Sequence, residues 1–260
     1  MLARGEALCK LAAEAGLDCL QLGVGTEIFA GKGLGSQAMI DEYRSGCEKY
    51  GIKIQSLSPQ FVDEYSFTMP QSIEEEQVAV KLVEKTIELC EIFGCKSFLL
   101  PVLCKNDICD GTTFHRAVEY IKRFSAMAAE KGIETYLELN QNAEQTKNLL
   151  DAVDSEHVKI FFDSQNLYAF NGTSMAKYFT EMADFIGGVH LKDGKGTMLS
   201  GSLLGEGTSG FFKTAQAIIN SGYSGSLIIE SVYDKPGVCG LGTEAELLGR
   251  DAATLHKVFD

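Results

Sequence analysis

Four hydrophobic runs in this chain end in a side chain able to hold a divalent cation. They are Glu138 in YLELN, Asp163 in IFFDSQN, His190 in GGVHLKD and Glu230 in SLIIES. The intervals of 25, 27 and 40 residues each approximate one strand–loop–helix–loop unit, the last one stretched. In a closed parallel barrel, such strand ends converge on one small site. Three carboxylates and one imidazole suit a hard or borderline divalent ion and leave positions for substrate oxygens. Mn²⁺ is the first expectation and Mg²⁺ the second; Zn²⁺ fits less well because no cysteine joins the set. Left together in a cleft, the carboxylates repel one another, and a divalent cation relieves that repulsion.

Other residues near these ends are candidate substrate contacts. Lys192 offers a cation to a hydroxyl, carboxylate or phosphate, or forms an ion pair with Asp193. Asp193 in turn contacts substrate, orients His190 or closes the following loop. Glu206, flanked by Gly205 and Gly207, sits in a tight turn expected beside the site, but this segment is not a P-loop. Gln55, Gln60, Lys105 and Tyr168 are more distant candidates. The FVDEYSF segment reads equally as a lid or a packed loop.

Placing these residues requires alternating strands and helices. Apolar runs predict strands at 18–23, 52–57, 96–102, 133–139, 158–163, 186–191 and 226–231. Amphipathic patterns predict helices near 4–15, 36–50, 71–93, 113–131, 143–153, 174–185, 210–221 and 243–258. Ser72 with Glu75 has the spacing of a capping box, and Ser36 and Thr243 are further N-caps. Gly16, Gly51, Gly94, Gly132 and Gly222 fall where a helix stops and a strand soon begins, as left-handed terminators do. Helix–Gly–strand repetition favours right-handed α/β crossovers in one domain spanning 1–260. Seven strands are visible, so the first strand of a regular eight-stranded barrel is missing. Its loss should leave a seam beside 18–23 and 226–231 that needs a cap, a distortion or a partner subunit, which slightly favours a homo-oligomer.

At 260 residues with 45% hydrophobic residues, the chain can bury a substantial core. No apolar run is long enough for a membrane span, and no signal peptide is evident. A net charge of −13 opposes nucleic-acid binding, which needs a concentrated positive footprint. The eight cysteines include no CxxC pair and fit reduced thiols in a cytoplasmic protein. Cys104 and Cys109 flank the loop CKNDIC and could meet in space; ordinary thiols are the expectation there.

The segments VHLKDGKG, LGEGTSGFFKTAQAII and GYSGSLIIES resemble the xylose-isomerase-like barrels, which include sugar and sugar-phosphate epimerases and isomerases. The resemblance spans nearly the whole chain, except for the missing first strand. Its strongest part is the ordered set Glu138, Asp163, His190 and Glu230 together with HLKD and GEG. It implies a TIM barrel in which these four residues hold one divalent ion, commonly manganese or magnesium. It further implies that Glu138 and Glu230 face opposite sides of the reacting carbons and move protons. Glu144 matches a position that assists at the substrate. Where many relatives place histidine three residues after the metal aspartate, this chain has Asn166. An amide can hydrogen-bond a substrate oxygen but is no imidazole base. The earlier strand ends, SLSPQ and LLPVL, also lack the histidines seen in relatives. Apurinic-site endonucleases of similar fold use a histidine-rich multinuclear site, so DNA repair is not expected; His115, His157 and His256 fall away from strand ends.

The resemblance implies an isomerase or 3-epimerase acting through an enediolate on a ketose or ketose phosphate. Its partner would be a small carbohydrate, with neither nucleic acid nor membrane. A metal-dependent dehydratase or β-eliminating lyase begins with the same proton abstraction. A non-catalytic, partner-dependent barrel subunit is the alternative of a different class.

Overall fold

The computed structural model describes residues 3–61 and 63–260. Among the described residues seven strands form one sheet in the order β1-β2-β3-β4-β5-β6-β7. The chain divides into two compact units, with the boundary inside β5, Val158–Asp163.

The first unit comprises residues 4–10 and 19–160. It contains β1 (Cys19–Val24), β2 (Lys53–Pro59), β3 (Ser97–Val102) and β4 (Glu134–Leu139). Most of α1 (Glu6–Glu14), together with α2 (Gln37–Tyr50), α3 (Ile73–Phe93), α4 (Gly111–Ala129) and α5 (Ala143–Val153), alternates with these strands. Neighbouring strands pair in parallel. All six residues of β3 are buried, as expected of a parallel strand covered on both faces. Gly51 and Gly94 end α2 and α3 at φ 71° and 69°, a left-handed conformation in which a Cβ would be strained. Ser72 caps α3 as expected, but the full capping box is absent: Glu75 accepts from the Gln71 N–H, one residue before the cap. Complete boxes cap α4 at Asp110–Thr113 and α5 at Asn142–Gln145. The α5 box closes the short turn after β4 and fixes where that strand ends.

FVDEYSF proves to be a packed loop at its described residues, with Val62 outside them. Phe61 and Phe67 are buried. Phe67 packs on Tyr120 and Phe124, and the Asn106 side chain accepts its N–H.

The second unit comprises residues 11–18 and 161–260. After β5 come α6 (Asn166–Asn171), α7 (Met175–Met182) and a 3₁₀ turn, Ala183–Phe185. Next are β6 (Ile186–Leu191), a long loop, α8 (Phe211–Asn220), β7 (Leu227–Ile229) and α9 (Glu244–Phe259). β6 and β7 pair in parallel, with His190 opposite Ile228. The expected strand 226–231 narrows to three residues: the Glu230 N–H still donates to the Leu191 carbonyl of β6 at 2.9 Å, and the pairing goes no further. The Glu230 carbonyl accepts from Ser200, and the Ser231 hydroxyl donates to Asp251 on α9. Gly188 is dictated by packing: a Cβ there would lie 2.6 Å from the Phe161 ring. That ring in turn packs against His190, tilted by 53° with the ring centres 4.3 Å apart.

Candidate active site

Asp163 closes β5 and is buried. Its Oδ1 accepts the N–H groups of Gln165 at 2.8 Å and Asn166 at 2.6 Å, which start α6. This local turn fixes the carboxylate and aims Oδ2 elsewhere. Lys192 Nζ lies 2.9 Å from Oδ2 and 2.6 Å from Glu230 Oε2, with the lysine 5% exposed. Glu230 Oε2 is also 3.4 Å from His190 Nδ1. Burial pushes the Asp163 carboxyl above its ordinary range; Lys192 and His190 oppose that shift, and Glu230 adds to it. Ser164 anchors the arrangement, accepting from the Lys192 N–H and donating to the Lys192 carbonyl, both at 2.8 Å.

Glu138 is buried at the end of β4. The ligand atoms of Asp163, His190 and Glu230 lie within 4.8 Å of one another. Two buried donors and one half-buried donor, hard oxygens plus one imidazole, suit a divalent cation.

The loop after β6 is organised around Asp193. Its Oδ1 accepts from the Gly194 N–H at 2.8 Å and from the Ser209 hydroxyl at 2.7 Å. Its Oδ2 accepts from Gly205 and Gly207 N–H groups at 3.1 and 2.9 Å. Asp193 thus closes the loop, one of the roles anticipated for it. Gly207 leaves room for this turn, since a Cβ there would meet Asp193 Oδ1 at 2.1 Å. Glu206, between the glycines, is turned to Arg250 at 2.9 Å and is half-exposed. Gln165 ties the same loop to β5, donating to the Met198 carbonyl and accepting the Ser200 N–H. Ser200 holds φ 51° and donates to the Glu230 carbonyl.

The remaining candidates are dispersed. Asn166 is buried beside Asp163. Glu144 is exposed in the first turn of α5. Tyr168 donates to Thr208, and Lys105 to the Glu64 carbonyl. Gln55 lines a groove with Arg44, Lys53 and Lys96, and Gln60 is exposed. Cys104 and Cys109 are exposed free thiols. His115 and His157 are exposed, and His256 pairs with Asp260.

Residues missed from the sequence include Ser164, Gln165 and Ser200, polar positions whose partners lie up to 35 residues away. Asn140, two residues past Glu138, was also missed; its Oδ1 is buried with no hydrogen-bond partner among the described residues. Its place in YLELN beside a ligand was the one available signal.

Comparison with known proteins agrees with this architecture. A 2-epi-5-epi-valiolone 7-phosphate 2-epimerase of Actinoplanes sp. (strain ATCC 31044 / CBS 674.73 / SE50/110) is 24% identical over 224 residues, covering 84% of this chain and 78% of that protein. A D-allulose 3-epimerase from Methylomonas sp. superposes with a TM-score of 0.77 at 17% identity, covering 98% and 91% of the two chains. The 3-keto-D-glucoside 4-epimerase YcjR from E. coli gives 0.74 at 16% identity, covering 97% and 94%. A family model described as the xylose isomerase-like TIM barrel matches residues 9–255, and the chain belongs to that family.

Proposed function

We propose that the protein is a divalent-metal-dependent isomerase or 3-epimerase of a ketose or ketose phosphate. The observation carrying this reading is the convergence of Asp163, His190 and Glu230 within 4.8 Å of one another; the family resemblance adds Glu138, buried at the end of β4. The epimerases similar to the chain support it. Bound by these four residues, a divalent ion, Mn²⁺ first and Mg²⁺ second, supplies a Lewis acid for adjacent substrate oxygens.

The protein's own groups then act on carbon. One of Glu138 and Glu230 takes the proton beside the carbonyl, leaving an enediolate, and the other returns a proton to the opposite face. Return to the same carbon gives an epimer; return to its neighbour gives an isomer. Asn166 and Lys192 would hold substrate oxygens, and the buried Asn140 Oδ1 would accept a hydrogen bond from a substrate hydroxyl. Glu144, Asp193 and Glu206 would act through the surrounding loops. A small carbohydrate is therefore the proposed partner. Among the described residues, no helix is long and apolar enough to cross a membrane.

The test is proton exchange read by NMR in D₂O, with Mn²⁺ bound, over free ketoses, their phosphates and keto-acids. Deuterium incorporation at the carbon beside the carbonyl, with a new sugar formed, is the expected result. Loss of water instead would assign a lyase. A protein that binds Mn²⁺ yet exchanges no carbon-bound proton across the panel would refute the catalytic reading.

A further inference from the structure

Asp163 Oδ2 and Glu230 Oε2 both already touch a cation of the protein itself. Asp163 Oδ1 is committed to two backbone N–H groups, so Oδ2 is the oxygen left for a ligand. Lys192 Nζ is 2.9 Å from that oxygen and 2.6 Å from Glu230 Oε2, the oxygen 3.4 Å from His190 Nδ1. A divalent ion bonded to Asp163, His190 and Glu230 would draw on the same carboxylate lone pairs at about 2.0–2.6 Å. The lysine cannot withdraw as a whole, because Ser164 holds both its N–H and its carbonyl at 2.8 Å. Only the side chain can move, and at 5% exposure it has little water to move into.

We propose that Lys192 is a tethered internal cation that competes with the divalent ion for Asp163 Oδ2 and Glu230 Oε2. It keeps the carboxylates aligned and lowers the affinity of the site for metal. This rests on the divalent-ion reading above and adds a positioning role for one residue. The tether makes the competition intramolecular, so its effect does not depend on protein concentration. Arginine at this position keeps the charge, whereas methionine keeps the stem and removes it.

The experiment is calorimetric titration of Mn²⁺ into the chelator-treated wild type, Lys192→Met and Lys192→Arg, with melting of each protein in chelator and in saturating Mn²⁺. Lys192→Met is expected to bind Mn²⁺ about tenfold or more tightly than wild type, equivalent to about 1.4 kcal/mol. Lys192→Arg should show no tightening. Lys192→Met should melt below wild type in chelator, and saturating Mn²⁺ should close the gap. An affinity equal to or weaker than wild type, or a melting deficit that Mn²⁺ leaves unchanged, overturns the proposal and makes the lysine merely structural. If Lys192→Met is not recovered folded, Lys192→Gln carries the same two readouts. A wild type that binds no divalent ion overturns the metal reading itself, which separates the two failures.

Discussion

At the scale of single residues, the two glutamates and the cysteines answer different questions. Glu138 is buried while Glu230 is part-exposed, with a lysine against its carboxylate. Replacing either with glutamine keeps the shape but removes the proposed base. Glu138→Gln and Glu230→Gln should each lower kcat by about 10²–10⁴-fold, the usual contribution of general acid–base catalysis. The check is turnover and solvent-deuterium exchange on the best substrate of the panel, with melting to confirm the fold. Wild-type exchange in both variants would reassign the residues. Thiol reactivity tests the local environment without any substrate. Cys104, Cys109 and Cys239 are exposed, whereas Cys9, Cys90 and Cys95 are buried. Cys104 nevertheless has its thiol pushed up to about 11, first by partial burial and then by the nearby carboxylates of Asp63, Asp107 and Glu138. Since the thiolate is the nucleophile, Cys104 should react with an aromatic disulfide near pH 7 more slowly than Cys109 and Cys239. Peptide mapping of partly labelled protein reads the order, and a fastest-reacting Cys104 contradicts this picture.

Among the elements, α9 has an effect on the site that its sequence position does not suggest. Its buried Asp251 accepts from the Leu204 N–H at 2.8 Å, the Ser231 hydroxyl at 2.6 Å and the Tyr233 hydroxyl at 3.0 Å. One carboxylate therefore joins the last helix to the loop after β6 and to the residue following Glu230. Asp251→Asn replaces an acceptor by a donor facing donors, a change costing on the order of 1–3 kcal/mol. Chemical denaturation should show that loss, and KM should rise as Glu230 loses its support; unchanged stability and kinetics would mean that the hub is dispensable. The alternation of strands and helices was legible in the sequence because apolar periodicity, N-caps and terminating glycines agree. Gly51, Gly94 and Gly132 all take positive φ where the helix pattern stops. The short helix α6 was not legible, since NLYAFN has too few residues to show a period. It starts on the Asp163 carboxylate and ends at Gly172, φ 76°. The four strand-end candidate ligands were readable because each ends an apolar run. The work of Asp193, Gln165 and Asp251 was not, because it depends on which distant N–H and hydroxyl groups return to them. Glu206 shows the same limit from the other side. The glycines that flank it serve Asp193, while its own carboxylate turns to Arg250.

At the scale of the whole molecule, the net charge of −13 bears on which substrate is the natural one. A strongly acidic protein repels an anion as it approaches, and salt screens that repulsion; the Debye length falls from about 30 Å at 0.01 M to about 10 Å at 0.1 M. A neutral ketose feels no such field. With Mn²⁺ saturating at every point, kcat/KM for a ketose phosphate should rise several-fold as ionic strength increases across that range. For the free ketose it should stay constant. The opposite slope, a phosphate ester handled less well as salt increases, would mean that local cations outweigh the field of the whole chain. Lys192 and Lys195, on the loop that Asp193 organises, are the first to test in that case. Lys195 is exposed, whereas Lys192 is buried between two carboxylates, so a salt-sensitive attraction should disappear in Lys195→Ala. The sign of the salt dependence thus separates a phosphate ester attracted by local cations from one that merely reaches the site through a repulsive field.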